Sequence, residues 1–155
     1  MRRVLVVEDS GSARALVRAI LEDKAFAEPL GGCEVVEASS GFDAMRLLPR
    51  ARYDLIVTDI NMADINGLEL IHFIRKSEHH RGTPLAIIST LASERDVERG
   101  LALGANAYIA KPFSPEQLRS VCGKLLTAPP KMPTPSGSRS SAARGSRPGG
   151  KGESE

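Results

Sequence analysis

Four places in this 155-residue sequence set oxygen- or nitrogen-bearing side chains directly against a short apolar run. Glu8 and Asp9 follow Val4 to Val7, and Asp59, with Asn61 two residues on, follows Leu55 to Val57. Ser89 and Thr90 follow Leu85 to Ile88, and Lys111, itself followed by Pro112, closes the run that begins at Tyr108. Singly, each has a plain explanation: an acidic pair that complements a helix dipole, a turn aspartate, a serine cap, a solvated lysine. Together, if the fold carries them to one edge, they make a problem and its solution. Three carboxylates within a few ångströms repel, and without a counter-ion at least one would be protonated at neutral pH. A hard divalent cation removes the conflict, and Mg2+ typically takes one or two carboxylates together with phosphate oxygens. Lys111 adds a mobile point charge and Ser89 a hydroxyl, both suited to phosphoryl oxygens.

The elements that must position these residues are legible as two periodicities. The four apolar runs, with the weaker Val35 to Val36 as a fifth, have the continuous hydrophobicity of strands buried on both faces, as in a parallel sheet. Between them Ala13, Leu16, Val17, Ile20 and Leu21 fall at helical spacing, as do Leu118, Val121, Cys122, Leu125 and Leu126, each set forming one apolar stripe. Ser114-Pro115-Glu116-Gln117 combines a serine cap, proline at the first helical position and glutamine at the third. Ser10, Ser40 and Ser93 are weaker caps. Gly67 opens a helix carrying Leu68, Ile71 and Ile74, and Gly104 closes the fourth helix as a left-handed cap. Five strands alternating with five helices predict a parallel sheet with right-handed crossovers and helices on both faces. Ligands of such sheets bind beyond the carboxyl ends of the strands, which is where all four sets of side chains fall.

Composition sets the bounds. Residues 1–127 carry 16 Lys and Arg against 17 Asp and Glu, whereas residues 128–155 carry 5 against 2, and 16 of those 28 are Pro, Gly or Ser. The expectation is one domain over 1–127 and a disordered basic tail over 128–155, which cannot bury a core. That tail cannot form a DNA-binding helix-turn-helix. Five positive charges without interleaved aromatics argue weakly for nucleic acid. With no signal-peptide core and no bilayer-length apolar run, the protein is expected to be cytoplasmic and to make no membrane contact. Cys33 and Cys122 lack the spacing of a disulfide framework or zinc site and are expected to be small, part-buried apolar groups. His72, His79 and His80 are expected to be solvated or at a rim.

The stretch Val4-Leu5-Val6-Val7-Glu8-Asp9-Ser10 and the block from Asp54 through Asp59-Ile60-Asn61-Met62 to Gly67-Leu68-Glu69-Leu70 resemble a response-regulator receiver. So do the Ile88-Ser89-Thr90 strand end and the Gly104–Tyr108 and Lys111-Pro112-Phe113 segments. The likeness is to the stand-alone chemotaxis (CheY-like) type and covers about residues 1–127. It implies the flavodoxin-like strand order 2-1-3-4-5 and a phosphorelay function in which Asp59 accepts a phosphoryl group from a histidine kinase. It implies that Asp9 and Asp59 ligate Mg2+ directly, with the Asn61 carbonyl as a third ligand and Glu8 acting largely through water. Ser89 would bond one phosphoryl oxygen and Lys111 another, and the Lys111–Pro112 bond would be cis. Ser89 and Tyr108 would form a switch whose output is a protein contact on the face of the fourth helix, last strand and last helix (α4-β5-α5 in the five-helix count), including Arg95 and Arg99. The protein would catalyse only its own phosphorylation and dephosphorylation, with a phosphatase as a possible further partner.

Departures from that pattern bear on rate. Ala63 stands where the family usually has proline, so the 63–66 turn is expected to be freer, although Asp64, Asn66 and Gly67 keep turn chemistry. Thr90 replaces a small residue beside the switch hydroxyl, and Asn61 and Leu91 occupy positions that modulate acyl-phosphate lifetime. The 25–33 connection is long and is expected to be a surface loop, with a partner contact as its alternative. Two other functions compete. A haloacid-dehalogenase-like phosphohydrolase would want a second aspartate where Asn61 stands. A pseudo-receiver adaptor would have no use for the acids, hydroxyl and lysine retained here.

Overall fold

The computed structural model describes residues 1–90 and 94–127. The expected Ser93 cap, Leu91 and the tail over 128–155 lie outside the described residues. The chain alternates β1 (Arg2–Val7), α1 (Gly11–Leu21), α2 (Lys24–Ala27), β2 (Cys33–Ala38), α3 (Gly41–Leu47), β3 (Leu55–Asp59), α4 (Gly67–Lys76), β4 (Leu85–Thr90), α5 (Glu94–Leu103), β5 (Ala107–Lys111) and α6 (Pro115–Thr127). The five strands form one sheet in the order β2-β1-β3-β4-β5, every pairing parallel. This is the flavodoxin-like α/β arrangement, with the order reversing between β1 and β3. Because α2 is a single short turn, the expected fourth and fifth helices are α5 and α6.

Strand side chains alternate between two cores. Val4, Val6, Val57 and Ile88 pack with Val17, Ile20 and Leu21 of α1 and with Leu118, Cys122 and Leu126 of α6. Leu5, Val7, Ile56 and Ile87 face the other way, toward Ala44 of α3, Leu70, Ile71 and Ile74 of α4 and Val97 of α5. Both faces being covered explains why β1 and β3 show no polar alternation until Glu8 and Thr58.

Caps fall largely where the sequence puts them. Ser10 Oγ accepts from the Ala13 N–H at 3.3 Å and Ser40 Oγ from the Asp43 N–H at 3.0 Å. Ser114 and Gln117 exchange bonds, Gln117 N–H to Ser114 Oγ at 3.1 Å and Ser114 N–H to Gln117 Oε1 at 2.9 Å, which closes a capping box with glutamine in the third position. A second box opens α4: Leu68 N–H donates to Asn66 Oδ1 at 2.7 Å and Asn66 N–H to Glu69 Oε1 at 3.3 Å. Gly104 has φ +125° at the end of α5, the conformation that favours glycine there.

Two local expectations change. The 25–33 connection is expected as a surface loop and is largely exposed or half-buried, but α2 and a 3-10 turn over Glu28–Leu30 occupy it, and Ala27 is buried while Phe26 packs on the α1/α6 core. His72 and His79 are exposed, but His80 is only 1% exposed and is neither solvated nor at a rim. Its Nε2 lies 2.8 Å from the Leu48 carbonyl and its Nδ1 3.3 Å from Thr83 Oγ1, with the Tyr53 ring 5.8 Å away. The Nε2–H tautomer satisfies both ring nitrogens, donating to Leu48 and accepting from Thr83, so a histidine drawn from a polar stretch can be buried neutral.

Burial, above all, holds His80 below its ordinary value of 6.5. The unfolded chain therefore takes up this proton first as pH falls. The stability that neutral His80 contributes is complete above pH 6.5 and declines below it, until the folded form is protonated as well. In urea titrations between pH 7 and pH 5, His80→Gln should flatten the acid-side decline.

Candidate functional site

The register brings the strand ends together. Val7 pairs with Thr58, Asp59 with Ile88 and Thr90 with Lys111, so Glu8, Asp59, Ser89 and Lys111 meet at the carboxyl edge beside the strand-order reversal. Carboxylate oxygens of Glu8, Asp9 and Asp59 lie within 4.8 Å of one another. Glu8 and Asp59 are 5% and 6% exposed, whereas Asp9 is open to solvent.

Lys111 reaches across from β5. Its Nζ donates to Glu8 Oε1 at 2.7 Å and to Asp59 Oδ2 at 2.9 Å, joining two acids that would otherwise face each other unscreened. The second oxygens are held by backbone: Ser10 N–H donates to Glu8 Oε2 at 3.1 Å and Asn61 N–H to Asp59 Oδ1 at 3.1 Å. Burial, more than the nearby Asp59 charge, pushes the Glu8 carboxyl above its usual range, against the pull of Lys111. Burial by itself would lower Lys111, but its bonds to Glu8 and Asp59 outweigh that and raise it. Lys111 is therefore a firm cation at neutral pH.

The surrounding backbone fits closely. A Cβ on Gly67 would stand 2.4 Å from the Asp59 carbonyl oxygen and 2.6 Å from Ile60 Cα, so the start of α4 can rest on the end of β3 only with glycine at that position. The Lys111–Pro112 bond is cis. Arg14 donates from Nη1 to the Glu8 carbonyl at 2.7 Å and from Nε to Glu37 Oε1 at 3.1 Å, an anchoring role for which the sequence carries no local signal.

Ser89 completes the set. Its Oγ is buried with no hydrogen-bond partner among the described residues, a costly condition for a hydroxyl unless another oxygen is to meet it. Three clustered carboxylates, a buried hydroxyl and a lysine ammonium form a donor set that suits Mg2+ together with a phosphoryl group. Thr90 is exposed at the rim and Tyr108 is half-buried on β5. The two thiols lie elsewhere, and burial above all pushes that of Cys33 up to about 11 and that of Cys122 to about 12. No helix among the described residues is long and apolar enough to cross a membrane.

Comparison with known proteins agrees with the fold. The family model described as the response regulator receiver domain matches residues 4–122. A chemotaxis protein CheY homolog of Campylobacter jejuni is 33% identical over 125 residues, covering 80% of this chain and 92% of its own length. The structure of the chemotaxis response regulator CheY4 of Vibrio cholerae superimposes with a TM-score of 0.72 at 33% identity, covering 81% of this chain and 99% of its own. The receiver domain of the sensor histidine kinase PA1611 of Pseudomonas aeruginosa, whose structure holds a magnesium ion coordinated in the active-site cleft, gives 0.70 at 28% identity, covering 82% and 98%.

Removing Lys111 leaves two buried acids without their cation. Lys111→Met should lower the stability of the metal-free protein by about 3 kcal/mol, the low end for breaking a buried pair because the lysine is itself partly exposed. Urea unfolding in a chelator measures the loss, and excess Mg2+ should recover much of it by supplying the missing positive charge.

Proposed function

The chain belongs to the response regulator receiver family and works in two-component signalling, and we propose that Asp59 is the residue through which it does so, as the acceptor of a phosphoryl group. The observation that carries this reading is the pair of hydrogen bonds from Lys111 Nζ to Glu8 and Asp59, together with a buried Ser89 hydroxyl on the neighbouring strand that has no partner among the described residues. Positive charge and an unmet hydroxyl thus lie at the same sheet edge as the clustered acids.

An Asp59 carboxylate oxygen attacks the phosphorus of a kinase phosphohistidine or a small phosphodonor. The new P–O bond makes an acyl phosphate as the bond to the donor breaks, and the leaving imidazole departs with the bonding pair. Such transfer depends on positioning and charge neutralisation. Asn61 N–H orients the nucleophile through Oδ1, Lys111 follows the charge from Oδ2 onto the phosphoryl oxygens, and the Ser89 hydroxyl donates to another of them. Asp9, Asp59 and the Asn61 carbonyl would hold Mg2+, with Glu8 acting through water, and the ion would neutralise charge shared by the carboxylates and the phosphoryl group. The chain catalyses only its own phosphorylation and dephosphorylation. A histidine kinase supplies the phosphoryl group, and residues 1–127 form the receiver unit of a cytoplasmic protein, with 128–155 as a tail.

The output face is formed by α5, β5 and α6. A groove of about 350 Å3 runs there between β5 and α6, lined by Tyr108, Ile109, Ala110, Glu116 and Val121. Movement of Ser89 toward the phosphoryl group would free space for Tyr108 and reshape this groove, changing what it binds.

Incubation with acetyl phosphate and Mg2+ should add the mass of one phosphoryl group, and Asp59→Ala should abolish the gain. No gain by the wild-type chain would favour an adaptor that never carries phosphate, and sustained turnover of a phosphate ester would favour a phosphohydrolase. A stable acyl-phosphate mimic with Mg2+ should shift the amide resonances of Arg95, Arg99 and Tyr108. Shifts confined to the pocket would sink the proposed output face.

A further inference from the structure

The loop that leaves Asp59 is tied down at a point remote from the pocket. Between β3 and α4 the chain runs through Asn61, Met62 and Ala63 to Asp64, whose carboxylate reaches over to α3. Gly41 N–H donates to Asp64 Oδ1 at 3.2 Å and Phe42 N–H to Oδ2 at 3.0 Å. These are two of the first-turn donors of α3, and Ser40 Oγ takes a third, from Asp43. The next loop residue strengthens the join: Ile65 sits so closely on Gly41 that a Cβ there would stand 1.6 Å from Ile65 Cγ2. The N–H of Phe42 first, then those of Ile65, Gly41 and Asp64 itself, hold the Asp64 carboxyl at about 2.

The loop is therefore fixed at both ends. At its root Asn61 N–H is bonded to Asp59, and Gly67 N–H donates to the Ile60 carbonyl at 2.9 Å. At its tip it is held to α3. The span between carries the backbone carbonyl of Asn61, and with alanine at 63 no ring stiffens it.

We propose that Asp64 is a positioning residue for the metal site: by pinning the β3–α4 loop to the first turn of α3 it fixes the Asn61 backbone beside Asp59. The inference rests on the reading of Asp59 and Asn61 as phosphoacceptor and Mg2+ ligand. It adds a residue that touches neither ion nor phosphoryl group and acts through main chain. It also makes α3 part of the pocket's support, since a shift of its first turn would be felt at Asn61. The carboxylate, spent on two N–H groups, is at the same time kept from competing for the cation.

Asp64→Ala, Asp64→Asn and Ser40→Ala separate this role from helix capping, because Ser40→Ala removes a cap from the same turn without releasing the loop. Calorimetric Mg2+ titration of the full chain should show affinity ~10-fold weaker in Asp64→Ala, the scale seen when an outer partner of a metal ligand is lost. Asp64→Asn, with one acceptor oxygen, should fall between, and Ser40→Ala should bind as the wild type does even where its thermal midpoint drops equally. Amide exchange at Asn61 and Met62 should quicken in Asp64→Ala alone. Wild-type affinity in Asp64→Ala, or an equal loss in Ser40→Ala, overturns the proposal while leaving Asp59 phosphorylation intact. A wild-type chain that takes up neither Mg2+ nor phosphoryl group from acetyl phosphate overturns the underlying reading and the tether's role with it.

Discussion

Like charges at one sheet edge are the constraint around which this structure is organised. Glu8 and Asp59 are almost wholly buried, and with Asp9 their oxygens fall within 4.8 Å, an arrangement that either a compensating cation or protonation of an acid must relieve. Lys111 provides the cation from 52 residues beyond Asp59. Nothing local could: β5 must lie beyond β4, β4 beside β3 and β1 on the far side of β3 for one ammonium to reach both acids. The strand order is thus as much a requirement of the site as the site is a product of the order.

The same constraint explains where side chains are sacrificed. Gly67 gives up its Cβ so that α4 can begin against the Asp59 carbonyl, and Gly41 does so under Ile65. Both glycines lie in or against the loop that leaves the acid cluster, and both have ordinary backbone angles. What they permit is close approach, which brings backbone donors within reach of carboxylates. In this way Asn61, Ser10, Gly41 and Phe42 all spend N–H groups on acidic oxygens.

Much of this was legible in the sequence, for a physical reason. Strands buried on both faces and helices with one apolar stripe are written in local periods, and Ser10, Ser40 and Ser114 cap helices through bonds that span three residues. Convergence of Glu8, Asp59, Ser89 and Lys111 followed once parallel alternation was accepted, because each stands just past, or at the close of, an apolar run. Arg14, Asp64 and His80 escaped for the complementary reason. Their partners, Glu37, Gly41 and Leu48, are 23, 23 and 32 residues away, and neither period nor turn chemistry encodes such pairings. His80 was the most misleading, since its neighbours His79 and Arg81 are exposed and only the fold reveals that Leu48 and Thr83 complete its bonding.

Ser89 and Lys111 stand in opposite conditions. Lys111 is satisfied twice over by acids, whereas Ser89, one strand away, has a buried hydroxyl without a partner among the described residues. A pocket at rest in that state stores its charge neutralisation in one group and its unmet hydrogen bonding in another. An anionic oxygen arriving at Asp59 would draw on both at once, competing with the carboxylates for the ammonium while giving the hydroxyl its first acceptor. The second effect is directional: a hydroxyl can gain its bond only by turning or moving toward the new oxygen, and Ser89 lies on β4, paired in register with Ala110 two residues after Tyr108. Were Ser89 to move, the strand pairing of β4 with β5 would offer a route from this change in bonding to the half-buried Tyr108.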